Sequence, residues 1–194
     1  MRVIAGSAGG LSLTVPNSVT RPTTDRVREA LFSSLGERVI EARILDLYAG
    51  SGALGIEALS RGAGSVVFVE ENERAAQTIR DNLERTRLPA EVRRMKVSAF
   101  LNGLATGENR DRFDLVFADP PYARDDQTRA EIADLLASEA LVRSLASDGL
   151  FVLEGMDGAA LPLNAKTARW TVLRERRYGG TRLFFLSPLS GSPE

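Results

Sequence analysis

Apolar positions along the chain alternate between two spacings. Short apolar runs at Ile44–Tyr48, Ser65–Glu70, Val92–Val97, Phe113–Ala118 and Leu150–Glu154 predict buried strands. Between several of them the spacing is helical: Ala53–Ser60, Asn72–Leu83 with Ala75, Ala76, Ile79 and Leu83 on one face, and Thr128–Leu136. Strands alternating with helices predict an α/β fold, a parallel sheet with helices on both faces. Trp170–Arg177 and Thr181–Leu186 flank Gly179-Gly180 and predict a hairpin that adds antiparallel strands to one edge.

Ahead of this alternation lies a Gly-, Ser- and Val-rich stretch. Strand-like runs at Arg2–Ala5 and Leu11–Val15 predict a β-hairpin extension over residues 1–20. Arg21-Pro22-Thr23-Thr24-Asp25 then leads into Val27, Ala30, Leu31 and Phe32. That pattern predicts a helix to about Leu35 with Thr23 or Thr24 as its N-cap. The main domain is expected over residues 21–188, with a frayed tail at 189–194. There is no internal repeat and no low-complexity linker.

The 194 residues suit one domain, and 43% apolar composition supports a buried core. The chain has no Cys and no His. Thiolate nucleophiles, Ser-His-Asp triads, thiolate or imidazole zinc sites and disulfides are therefore excluded. The available chemistry uses carboxylates, hydroxyls, backbone dipoles or a bound cofactor. No apolar run is long enough to span a membrane, and Met-Arg-Val-Ile-Ala-Gly lacks a signal-peptide core. A cytoplasmic protein with no membrane partner is expected.

Net charge is −1, yet the positive charge is clustered. Residues 85–112 carry a net +4 through Arg85, Arg87, Arg93, Arg94, Lys96, Arg110 and Arg112. Residues 169–182 carry another +4 through Arg169, Arg174, Arg176, Arg177 and Arg182. Solvated faces account for such runs as readily as ligand sites do. Arg supplies nearly all of this charge, and its bidentate phosphate contacts tilt the reading toward nucleic acid.

Gly50-x-Gly52-x-x-Gly55 lies where a strand hands over to a helix. Glycines there let the backbone turn sharply and approach a ligand at a helix N-terminus. Glu70 ends the next strand, where a carboxylate can accept both hydroxyls of a ribose. An NAD-binding domain shares these features. Asp46 discriminates: a carboxylate four residues before the first Gly opposes a pyrophosphate and suits a cationic ligand. S-adenosylmethionine, with a sulfonium and an ammonium and no phosphate, is such a ligand. The plainer role for Asp46 is to bind the loop's own amides.

Asp119-Pro120-Pro121-Tyr122 follows the strand Phe113–Ala118 at its C-terminal end, where ligands bind in such sheets. Two prolines fix φ and remove two donors, so the loop presents acceptors rigidly. A carboxylate and a carbonyl accepting both protons of an aryl or amide NH2 would localise its lone pair. Tyr122 could stack on the base plane. The chemistry is then in-line methyl transfer by positioning and electrostatics, with no metal required. Guanine N2 and adenine N6 satisfy this clamp equally well.

Nearly end to end, the chain resembles the RsmD family of bacterial 16S rRNA guanine-N2 methyltransferases. The resemblance rests on Arg21-Pro22-Thr23-Thr24-Asp25-Arg26-Val27-Arg28-Glu29-Ala30-Leu31-Phe32, on Asp46 through Ala63, and on Asp119-Pro120-Pro121-Tyr122. It implies a class I, Rossmann-like methyltransferase fold of seven strands, with S-adenosylmethionine as donor. It further implies a guanine of 16S rRNA as acceptor, held within the 30S subunit. Nothing demands more than a monomer.

By this resemblance Asp46, Tyr48, Gly50, Ser51, Gly52 and Glu70 hold the cofactor, while Asp119, Pro120, Pro121 and Tyr122 hold the amine. Thr23 lies near the cofactor, and Arg21 and Arg26 near the RNA entrance, with Arg174 and Arg176 as further RNA contacts. Two departures stand out. The family's first Gly is usually followed by a basic Arg/Gly stretch, whereas Gly6-Ser7-Ala8-Gly9-Gly10-Leu11-Ser12 is uncharged. The adenine-binding acid or amide after the third strand is replaced by Val97-Ser98-Ala99-Phe100, leaving Ser98, Ala99 and the backbone for that role.

Overall fold

The structure, a computed structural model, describes residues 1–16, 24–106, 112–120, 126–156, 161–162 and 169–189. It divides into two compact units, Met1–Val97 and Ser98–Glu194. In the first, α1 (Asp25–Leu35) and a 3₁₀ turn (Gly36–Val39) precede β1 (Arg43–Leu47), α2 (Ala53–Ser60), β2 (Ser65–Glu70), α3 (Glu73–Thr86) and β3 (Glu91–Arg94). The strands are parallel in the order β3-β2-β1, with Arg43 opposite Ser65 and Val67 opposite Glu91. After its first residue β1 is buried throughout, as expected of a strand covered on both faces.

Local capping explains where the helices begin. Thr24 caps α1, its hydroxyl accepting from Val27 N, which decides between the two candidate threonines. Asn72 caps α3 by accepting from Ala75 N. α2 is buried along its whole length, including Glu57 and Ser60, because the N-terminal extension lies against it.

That extension brings its two ends together antiparallel over a short ladder. It keeps one antiparallel bridge, Arg2 with Ser12, beside bonds from Val3 N to Leu11 O and Leu13 N to Met1 O. Its Gly- and Ser-rich turn offers few side chains for cross-strand pairs, so docking onto α2 supplements the short ladder. The Glu57 carboxylate accepts from Ile4 N (2.7 Å) and Ala5 N (3.1 Å), while Ser60 Oγ accepts from Ala8 N (2.9 Å). Arg61 Nε closes onto Glu57 at 2.7 Å and its guanidinium lies over the Phe32 ring.

The second unit follows from α4 (Val97–Thr106), which begins at the boundary. It holds β4 (Phe113–Ala118), α5 (Asp126–Ala137), α6 (Glu139–Ser144), β5 (Leu145–Met156), β6 (Trp170–Tyr178) and β7 (Thr181–Pro188). β4 and β5 are parallel; β5 with β7 and β7 with β6 are antiparallel. Trp170 anchors the hairpin, donating from Nε1 to Leu136 O at 2.7 Å and packing against Phe151. The strands make a seven-stranded mixed sheet, mostly parallel with antiparallel C-terminal strands, as the alternation predicted.

Several boundaries moved. β3 stops at Arg94, and Val97, read as the strand's end, opens α4. Val97 and Leu101 are both buried one turn apart, a helical spacing interrupted in the sequence by Ser98 and Gly103. α6 is six residues long, capped by Ser138, too short for periodicity to reveal. β5 starts at Leu145 rather than Leu150, with an irregularity around Ser147-Asp148-Gly149 that reads as a turn. At the other end Leu189, assigned to the frayed tail, donates to Arg169 O at 2.8 Å; residues 190–194 lie outside the described residues.

Candidate active site

The glycine loop begins at the last residue of β1 and ends at the first of α2. Positive φ falls at Tyr48, Gly50 and Gly52, alternating with ordinary residues. For Tyr48 this is a rarely populated conformation, the kind of local strain that persists at functional sites. At Gly52 the φ of +76° favours glycine, and a Cβ would stand in tight contact, 3.1 Å, with the Ile79 side chain of α3. α3 therefore packs directly onto the loop.

Successive amides turned inward in this way form a concavity that usually receives an anion. Here the protein's own carboxylates take it. Glu70 at the end of β2 accepts from Gly50 N at 2.9 Å and from Asn72 N at 2.8 Å. Asp46 accepts from Gly55 N at 2.9 Å. A dinucleotide pyrophosphate would have to displace two carboxylates, whereas a cation meets them favourably.

Asp46 is the plainer of the two predicted roles made visible: its carboxylate holds the loop's amide from a buried position. Burial pushes its pKa up to about 8; the Gly55 N–H opposes this and the nearby Glu70 charge adds to it. A cation near Asp46 and Glu70 would relieve that strain. Ser51 is buried in the loop, and Tyr48 is half-buried.

The sequence reading missed Asn82. Its carboxamide is wholly buried in α3 and makes three bonds. Oδ1 accepts from Thr14 N at 2.9 Å, while Nδ2 donates to Thr14 O at 2.9 Å and to Ser51 O at 3.0 Å. One side chain thus joins the glycine loop to the N-terminal extension. The available signal was a polar residue on the apolar stripe of α3, between Ile79 and Leu83.

In the second unit Asp119 and Pro120 follow β4 directly, Asp119 half-buried and Pro120 buried. Pro121 and Tyr122 lie outside the described residues, as do Arg21 and Thr23. Ser98 and Ala99 are exposed in the first turn of α4. Arg26 is exposed on α1. Arg174 and Arg176 are exposed on β6, Arg174 over the Phe185 ring and Arg176 donating to Glu175 O.

A family model described as conserved hypothetical protein 95 matches residues 1–187. The Escherichia coli K12 ribosomal RNA small subunit methyltransferase D is 36% identical over 181 residues, covering 92% of this chain and 85% of that one. The chain belongs to the RsmD family. A solved hypothetical protein of Thermus thermophilus, 36% identical, superposes with a TM-score of 0.78 over 96% of this chain and 99% of its own. The T. thermophilus 16S rRNA N2 G1207 methyltransferase, solved with AdoMet and guanosine, shares the fold at 23% identity and a TM-score of 0.62. That match covers 87% of this chain and 44% of the other. The fold is shared with solved S-adenosylmethionine-dependent methyltransferases, one of them solved with AdoMet. The residues around the RsmD-family glycine loop fit S-adenosylmethionine: two carboxylates for a cation, and Glu70 at the strand end where a ribose is held.

Proposed function

We propose that this RsmD-family chain methylates the N2 amine of one guanine in 16S rRNA, presented within the 30S subunit. The observation that carries the reading is Asp119-Pro120 at the C-terminal end of β4, paired in the same chain with a glycine loop built for a cation. When bound, S-adenosylmethionine supplies an electrophilic methyl group on a sulfonium. Asp46, Tyr48, Gly50, Ser51, Gly52, Glu70, Ser98, Ala99 and Thr23 are assigned to holding it.

Asp119 and the Pro120 carbonyl accept the amine's two protons in hydrogen bonds, which turns the nitrogen lone pair toward the methyl group. Prolines 120 and 121 keep those acceptors rigid, and Tyr122 stacks on the base. The catalytic contribution is alignment and fixed electrostatics. The name of the related G1207 enzyme, which specifies N2 of a 16S guanine, favours guanine over adenine. An rRNA substrate places the protein in the cytoplasm, and no helix among the described residues is long and apolar enough to cross a membrane.

The test is incubation with methyl-labelled S-adenosylmethionine and either 30S subunits from a strain lacking this gene or naked 16S rRNA, followed by nucleoside analysis. Label in N2-methylguanosine from subunits, and not from naked RNA, is expected. Label in N6-methyladenosine would transfer the clamp to adenine. Cofactor binding with no labelled RNA at all would overturn the reading.

A further inference from the structure

Residues 6–12 of the extension carry no charge, and the first unit gathers positive charge instead at the end of α3 and along β3. Arg85 lies in the last turn of α3, and its Nη1 donates to Ser12 O of the extension. Arg87 caps α3 in the left-handed conformation, exposed. The chain then enters β3, the edge strand of this unit, with Arg93 and Arg94 exposed along it and Lys96 just past its end. Arg93 pairs with Glu91 and Arg94 reaches Glu73 at 3.6 Å. Among the described residues no carboxylate forms an ion pair with Arg85, Arg87 or Lys96.

From Glu91 to Arg94 the strand rises about 10 Å. Cations at both ends and along it, Arg93 and Arg94 leaving the edge on opposite faces, thus form a ridge long enough to meet two or more phosphates of one RNA strand. Four of its five cations are arginines, suited to bidentate phosphate contact. Met95, 37% exposed, lies within the same run.

We propose that this ridge, Arg85, Arg87, Arg93, Arg94 and Lys96, holds the sugar-phosphate backbone of the rRNA substrate beside the N-terminal extension. The inference rests on rRNA being the substrate and goes beyond it by assigning a binding surface. The competing role for charges on an edge strand is to block pairing with another sheet edge. The two roles separate cleanly, because charge of either sign guards an edge but only positive charge holds phosphate.

The experiment measures binding of the full chain to 30S subunits and to naked 16S rRNA across a salt series. It compares wild type, Arg87→Glu/Lys96→Glu, the neutral Arg87→Gln/Lys96→Gln, and Arg129→Glu, an exposed position on α5 whose reversal changes the net charge by as much as the Gln pair does. The reversal pair is expected to weaken RNA binding by about 10- to 100-fold at low salt and to lower the log–log salt slope by about 2. The Gln pair should show the same change in slope with a smaller loss of affinity. S-adenosylmethionine affinity and melting temperature should stay at wild-type values in the Gln pair. RNA affinity and slope equal to those of Arg129→Glu, with wild type binding RNA steeply, would assign the ridge to edge protection and overturn the inference alone. A wild type that neither binds nor methylates RNA would overturn the substrate reading and the ridge with it.

Discussion

Asp46 shows how one residue can record the charge of the ligand its site is built for. Its carboxyl titrates near 3.8 in the unfolded chain and near 8 when buried in the native one. Between those values the native state holds the extra proton, so the sign is fixed. Stability associated with this group is fully present below about 3.8, declines as pH rises and levels off above about 8. An Asp46→Asn variant lacks that titration. In urea unfolding, the stability of wild type relative to Asp46→Asn should therefore fall steadily from about pH 5 to about pH 8; a constant difference would refute the assignment. A bound cation favours the ionised form, so the affinity of wild type for S-adenosylmethionine relative to this variant should rise over the same range.

A second prediction at this scale concerns Gly6. Its φ is +84°, and a Cβ there would stand 1.7 Å from Ser60 O. Gly10 has nearly the same φ, +85°, with nothing within 4 Å. Gly10→Ala should cost about 1 kcal/mol from backbone strain alone. Gly6→Ala should cost about 3 kcal/mol or undock the extension, because backbone rather than a flexible side chain blocks it. Chemical denaturation of the two variants side by side measures the difference.

At the scale of elements, α3 is the part through which the others are aligned. Ile79 lies under Gly52, and Asn82 bonds both Ser51 O and the backbone of Thr14. Replacing Asn82 with Leu keeps similar volume but leaves two carbonyls and one amide without their partner. Each buried group left unpaired costs about 1–3 kcal/mol, so a loss of about 3 kcal/mol is expected. Weaker S-adenosylmethionine binding should accompany it. Hydrogen exchange provides the decisive readout: amides of the glycine loop and of residues 3–13 should lose protection together. Faster exchange in the extension with an unchanged loop would show that the two are held independently.

At the scale of the whole molecule, holding the cofactor at Glu70 and holding the amine at Asp119 are proposed as separate tasks, and the separation is measurable. Glu70→Ala removes the acceptor of Gly50 N and Asn72 N in the first unit, and should lower S-adenosylmethionine affinity by at least about 10-fold. Asp119→Asn belongs to the second unit and leaves that binding unchanged. It should lower turnover about 10²- to 10³-fold, the range for removing one preorganised electrostatic contact. Calorimetry and single-turnover methyl transfer on 30S subunits distinguish the two; equal loss of cofactor binding in both variants would contradict the division.

Much of this was readable from residue order alone. Short apolar runs located β1, β2 and β4 and period-3.6 spacing located α2 and α3, because a strand covered on both faces is apolar throughout and a helix repeats its buried residues at the period of its backbone. Gly50, Gly52, Glu70 and Asp119 were legible for a related reason: the chemistry of a tight turn or strand end narrows the residue type. The length of β5 and the existence of α4 and α6 were not, since Gly149, Gly103 and a six-residue helix break or truncate the pattern. Nor were the partners of Asn82, Glu57 and Ser60, whose bonds reach 31 to 68 residues away. Local pattern is set by backbone geometry and survives in one dimension. The destination of a buried polar side chain is set by whichever distant backbone groups folding leaves unpaired, and only the tertiary structure decides that.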